Sequence, residues 1–120
     1  MAVQNRLKPN SRVNRGTQRT SVITVLPAEG CTLPIPTIPA GRDWSEVETE
    51  RWDELWQSPQ ATQWDDSATG QVAMLIVYEQ AIFGNTGSAW MAQEARHISD
   101  ALGLTPKAMV ALGWTVENPS

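Results

Sequence analysis

The sequence predicts an all-α protein: a small body of three to four helices around an antiparallel helical hairpin, preceded by a largely extended or disordered basic arm. Apolar residues recur at three- and four-residue steps after residue 43, glycines and prolines separate these stretches, and basic residues concentrate before them. At 120 residues the chain forms one domain at most. We divide it into an arm and connector (1–42), a helical oligomerisation domain (43–114) and a C-terminal tail (115–120).

The N-terminal part is basic and poor in core-forming residues. Residues 1–42 carry six basic side chains and one acid, whereas residues 43–120 carry three basic side chains and twelve acids. The formal charges are +5 and −9, a division typical of a tail that binds a polyanion, although a solvated tail that keeps an acidic protein soluble explains it equally well. The candidate DNA-binding residues are Arg6, Lys8, Arg12, Arg15, Arg19 and Arg42.

A β-branched run and a proline-rich connector join the arm to the body. Residues 21–26 read SVITVL, which by itself favours a strand. No partner strand is predicted, so three placements stay open: addition to a neighbouring subunit, packing across the helical body, or an extended chain. Residues 27–42 contain four prolines and two glycines, a composition that favours an extended spacer.

The tryptophan-rich stretch 43–64 predicts the first helix. Asp43 and Glu46 have the spacing of a capping box, so the helix is expected to begin at about Trp44. Pro59 disfavours helical geometry at the residue before it and closes the helix. The four indoles are expected on one seam, as core or as oligomer interface: Trp44, Trp52, Trp56 and Trp64.

The second predicted helix is unusually apolar. Asp65 or Asp66 caps it, and it runs to about Phe83. Its segment Val72–Tyr78 is apolar on nearly all sides, which in so small a body indicates contact with another chain. Its candidate interface or core residues are Val72, Leu75, Ile76 and Tyr78.

Two further helices complete the predicted body. Residues 84–87 form the turn of the hairpin, and Ser88 caps a third helix that Gly103 ends. Thr105 caps a short fourth helix and Pro106 takes its first position, where the missing N–H costs nothing. The helical pattern therefore ends shortly before the C-terminus.

The sequence contains no catalytic or metal-binding set. His97 and Asp100 are three residues apart, but no second histidine or cysteine cluster completes a metal site. The one cysteine, Cys31, has no disulfide partner and no base to activate it. No phosphate-binding loop and no apolar run of bilayer-spanning length occur. We expect no enzymatic activity, no cofactor and no membrane contact.

Three motifs, in their order and spacing, resemble the small terminase subunits of tailed phages. A proline-rich leader ends in the pair Gly41–Arg42. The run Arg51–Ala61, RWDELWQSPQA, is followed by Trp64. Farther on, Gly103–Met109, GLTPKAM, precedes a closing Trp114. Each motif alone is ordinary helix punctuation, and the specificity lies in their combination.

This resemblance implies a non-enzymatic packaging protein in the host cell cytoplasm. Such subunits assemble as homo-oligomeric rings, bind viral double-stranded DNA, and recruit and regulate a large subunit that carries the ATPase and nuclease. Many members bind DNA through an N-terminal helix-turn-helix, which residues 1–42 cannot form. The alternative is a phage structural or adaptor protein with a helical oligomerisation body and a tethering arm, which would be indifferent to DNA.

Overall fold

A computed structural model describes residues 22–118, which form a small helical body with a two-stranded sheet. The predicted all-α class is confirmed, and the sheet is an addition to it. Residues 1–21, which include the whole predicted arm before the β-branched run, lie outside the described residues. In chain order the elements are β1 (Thr24–Leu26), α1 (Glu46–Trp56), 3₁₀-helices at Pro59–Gln63 and Asp66–Ala68, α2 (Thr69–Phe83), α3 (Ala89–Ala101), α4 (Pro106–Leu112) and β2 (Trp114–Val116).

Helix α1 begins later than predicted because its cap is Ser45, and the expected pairing of Asp43 with Glu46 is wrong. The Ser45 hydroxyl accepts a hydrogen bond from the backbone N–H of Glu48 at 3.1 Å, and the Glu48 carboxylate accepts one from the Ser45 N–H at 2.9 Å. This reciprocal pair is a capping box, displaced by two residues from the predicted one. Glu48 is buried as a result.

The core is built around the predicted tryptophan seam. The rings of Trp52 and Trp56 are tilted with centroids 5.6 Å apart, and Trp64 meets Trp56 edge-on at 5.1 Å. The Trp64 indole N–H donates to the backbone oxygen of Leu102 at 2.8 Å, which ties the end of α3 to this seam. The other half of the core comes from α2, through Val72, Ala73, Leu75 and Ile76, all buried.

The proline-rich connector packs on this core, so the expectation of a mere spacer is wrong. Leu33, Ile35 and Ile38 pack against the core. The indole N–H of Trp52 donates to the backbone oxygen of Pro36 at 2.8 Å, and that of Trp44 donates to Pro39 at 2.8 Å. Prolines lack a backbone N–H but keep a carbonyl acceptor, so a proline-rich strap can satisfy indole donors.

The β-branched run does form a strand, and its partner comes from the opposite end of the chain. Strands β1 and β2 are parallel, with Val25 opposite Thr115. The Thr24 N–H donates to the Gly113 oxygen at 2.7 Å, which extends the ladder by one bond. Thr115 and Val116, which the sequence assigns to the C-terminal tail, therefore belong to the folded body.

Helix α2 begins at Thr69 without a side-chain cap, so the prediction that Asp65 or Asp66 caps it is wrong. Asp65 accepts from the Ser67 N–H at 2.9 Å and caps the preceding 3₁₀-helix.

Local signals define α3 and α4 as expected. The Ser88 hydroxyl accepts from the Met91 N–H, and the Thr105 hydroxyl accepts from the Ala108 N–H, each at 3.1 Å. Helices α2 and α3 pack on each other across the short turn between them. Gly103, with φ of 75°, follows α3 closely, and a Cβ there would lie 2.0 Å from the ring of Trp114. These caps and this glycine fix the path from α3 through α4 to β2.

Candidate nucleic-acid interface

The described part of the protein is strongly acidic. Residues 22–118 contain four basic side chains and all thirteen carboxylates of the chain, for a formal charge of −9. Such a charge repels a DNA backbone unless its few cations cluster and are free. Five of the six predicted phosphate contacts lie outside the described residues: Arg6, Lys8, Arg12, Arg15 and Arg19.

The sixth predicted contact, Arg42, is engaged within the chain. Its guanidinium lies over the ring of Trp44, 4.4 Å from the ring centroid. Its Nη2 atom is 3.3 Å from the Glu48 carboxylate, the same carboxylate that caps α1. The side chain is 44% exposed, so a phosphate could reach it but would compete with Glu48 and with the stacking.

Arg51 is a structural residue that joins α1 to α2. Its guanidinium donates to both carboxylate oxygens of Glu79 at 3.0 Å, and to Glu54 at 2.8 Å. The hydrogen bonds to Glu79 raise the pKa of Arg51 above its usual value, with a smaller contribution from Glu54. The group therefore stays charged at any working pH, and its bidentate geometry leaves little of it for a phosphate.

Two basic side chains of the body are more available. Arg96 on α3 and Lys107 on α4 are exposed, and neither forms an ion pair with another residue of 22–118. They come from different helices and stand among a large excess of carboxylates. They do not amount to the continuous basic surface that a duplex requires.

The predicted interface or core residues are mostly hidden within the single chain. Trp44 and Tyr78 are half-buried, and the other six are buried: Trp52, Trp56, Trp64, Val72, Leu75 and Ile76. The sequence did not single out several exposed apolar side chains, among them Val25, Met74 and Trp90. The sequence does contain a pattern that indicates a second apolar side of α2: Met74, Val77 and Ala81 recur at helical spacing on the side away from the core.

The residues considered for metal chemistry have other roles. The His97 Nδ1 atom is 3.7 Å from the Glu94 carboxylate, and the Asp100 carboxylate accepts a hydrogen bond from the Thr105 hydroxyl at 2.7 Å. Within residues 22–118 no three His, Cys, Asp or Glu side chains are placed to hold a metal ion. In the same range, no helix has the length and apolar character needed to cross a membrane.

Comparison with known proteins identifies one family. The model of the phage terminase small subunit family matches residues 4–120, which include the helical body and most of the basic arm. No curated protein and no solved structure matches the chain. The family match spans all three motifs on which the sequence resemblance rests.

Proposed function

The chain belongs to the phage terminase small subunit family, and we propose that it serves viral genome packaging as a ring-shaped, non-enzymatic subunit that binds viral DNA. In this proposal it recruits and regulates the large terminase subunit, which supplies ATP hydrolysis and DNA cleavage. It does so in the cytoplasm of the host cell. The family match is the observation that carries the proposal.

The division of charge supports the arm as the part that contacts DNA. Two of the four cations of the described body, Arg42 and Arg51, are paired with carboxylates. The other two lie on separate helices, whereas residues 1–21 contain five basic side chains and no acid. A DNA phosphate backbone binds most favourably to the segment whose positive charge is not already neutralised by carboxylates.

Exposed apolar surface supports assembly. Met74, Trp90 and Val110 are 46%, 58% and 81% exposed, on three different helices. A chain of this size gains stability by covering such surface with another copy. Several copies would also present several arms, so that weak individual contacts hold DNA as a set.

A gel shift and native mass spectrometry test the proposal together. We expect the purified protein to form a closed oligomer at micromolar concentration and to retain a phage-derived duplex at moderate salt. The large subunit should co-elute with it and show altered ATPase activity. An oligomer that does not bind DNA would contradict the proposal and favour a structural or adaptor protein. A monomer would contradict the proposed ring.

A further inference from the structure

Helix α2 is apolar on two opposite sides: the chain buries the first, whereas on the second Val77, Tyr78 and Ala81 stay half-buried and Met74 stays exposed. Val72 and Ile76 face the core and are fully buried. On the other side, Met74, Val77 and Ala81 follow one another at helical spacing, and Met74 is 46% exposed. The one charged residue of α2, Glu79, is neutralised by Arg51.

An aromatic pair widens this second side. Tyr78 meets Trp90 of α3 edge-on with ring centroids 5.9 Å apart, and Trp90 is 58% exposed. We refer to Met74, Val77, Tyr78, Ala81 and Trp90 together as the α2 face. It is an uncharged surface on a body with a formal charge of −9.

The sheet has a similar uncovered side. Side chains alternate between the two faces of a strand, so Leu26, which is fully buried, and Val25, which is 60% exposed, lie on opposite faces. Ile23 shares the side of Val25 by the same alternation and is 59% exposed. Parallel sheets almost always have both faces covered. We refer to Ile23 and Val25 as the sheet face.

We infer that the α2 face of one copy packs on the sheet face of the next. This inference rests on the proposed ring and names the surfaces that would form it. The two faces belong to different elements, so the contact is head-to-tail, which is the type of contact that closes into a ring. A helix packed on a sheet face is an ordinary layer arrangement, and here it would cover the exposed face of the two parallel strands.

Electrostatics favours uncharged faces for contacts between copies. Residues 22–118 carry thirteen carboxylates and four basic side chains, so contacts through charged surface bring mostly like charges together. The α2 face and the sheet face contain no charged side chain. Because β1 directly follows the arm, each arm would leave the ring at a contact between subunits.

Single glutamate substitutions test each face separately. We expect Met74→Glu and Val25→Glu each to abolish the oligomer in native mass spectrometry, because a carboxylate would be buried in an apolar contact. Val47→Glu is the matched control: it adds the same charge at a 58% exposed position of α1 and should assemble like the parent. Helical circular dichroism confirms that each variant is folded, and Ala81→Glu and Ile23→Glu replace any variant that is not.

Mixing the two variants tests the pairing itself. The Met74→Glu copy keeps its sheet face and the Val25→Glu copy keeps its α2 face, so an equimolar mixture should give a dimer with one of each. If one variant assembles like the parent, or if the mixture stays monomeric, the inference is overturned. A monomeric parent would also contradict the proposed ring, whereas an assembling parent with unaffected variants contradicts this inference alone.

Discussion

At the scale of single residues, polar contacts hold apolar segments in place. Two indole N–H groups donate to proline carbonyls of the connector, and a buried carboxylate caps α1 while it pairs with Arg42. The two indole contacts join a residue type that the sequence suggests for the core to a carbonyl acceptor that the sequence does not identify. Their energetic contributions can be measured one at a time.

The first prediction concerns the cap of α1. Ser45→Ala removes the side-chain acceptor for the Glu48 N–H and should lower the free energy of unfolding by about 1 kcal/mol. Asp43→Ala is the control, since Asp43 is exposed and lies outside the observed capping box, and it should change stability by less than about 0.5 kcal/mol. Urea unfolding measures both. A larger loss for Asp43→Ala would contradict the observed cap.

The second prediction concerns the connector. Trp52→Phe removes the donor to the Pro36 oxygen and leaves a space beside a buried ring, so it should destabilise the protein by about 1–3 kcal/mol. Val47→Ala is the control: it truncates an apolar side chain at a 58% exposed position of α1, outside the α2 face and the sheet face, and should cost less than about 1 kcal/mol. If urea unfolding shows equal losses of unfolding free energy for the two variants, the contact between Trp52 and Pro36 does not stabilise the connector.

At the scale of elements, local signals predicted the helices and non-local contacts escaped prediction. The caps at Ser88 and Thr105 and the stop at Gly103 depend on neighbouring residues, so the sequence contains them in full. Asp43 was the wrong cap because Ser45 with Glu48 offers the same spacing two residues later.

The connector and the sheet could not be derived in the same way. Pairing of Val25 with Thr115 joins opposite ends of the chain, and a three-residue strand has too weak a pattern to find its partner. The buried side of α2 was equally ambiguous, since apolar residues occur on both sides of it. The predicted arm lies outside the described residues, so its extended or disordered state and its role in DNA binding stay predictions.

A third prediction belongs to the junction of α3, α4 and β2. Gly103→Ala should destabilise the protein by at least about 2 kcal/mol, because φ is 75° and the new Cβ would lie 2.0 Å from the Trp114 ring. Gly70→Ala is the matched control in the first turn of α2, where no atom lies within 4 Å of a Cβ. It should stabilise the protein by about 0.5 kcal/mol. If thermal unfolding shows that both substitutions shift the melting temperature in the same direction, this prediction is contradicted.

At the scale of the whole molecule, all thirteen acidic side chains lie in residues 22–118, whereas five of the nine basic ones lie in residues 1–21. A fourth prediction is that the purified protein neither hydrolyses ATP nor cuts DNA. The reason is chemical: the sequence has no phosphate-binding loop, and the described residues have no metal cluster. Phosphate release and plasmid nicking assays measure this. Turnover that co-purifies with the protein and disappears in His97→Ala or Asp100→Ala would contradict it.

The arm is the fifth and central prediction. Replacing Arg6, Lys8, Arg12, Arg15 and Arg19 by alanine should weaken DNA binding strongly while helical content and assembly stay unchanged. These five residues supply most of the positive charge of an otherwise acidic chain. The control is the pair Arg96→Ala and Lys107→Ala, which removes the two cations of the body that form no ion pair within residues 22–118 and should reduce affinity far less.

The most direct test is the salt dependence of binding, measured by fluorescence anisotropy on one labelled duplex. Each phosphate that a cation neutralises releases condensed counterions, so the parent should give a log–log slope of roughly −3 to −5 per bound arm. We expect the control pair to keep that slope and the five-alanine variant to lose it. If the five-alanine variant binds as tightly as the parent and with the same slope, the arm does not contact DNA and the central claim is wrong.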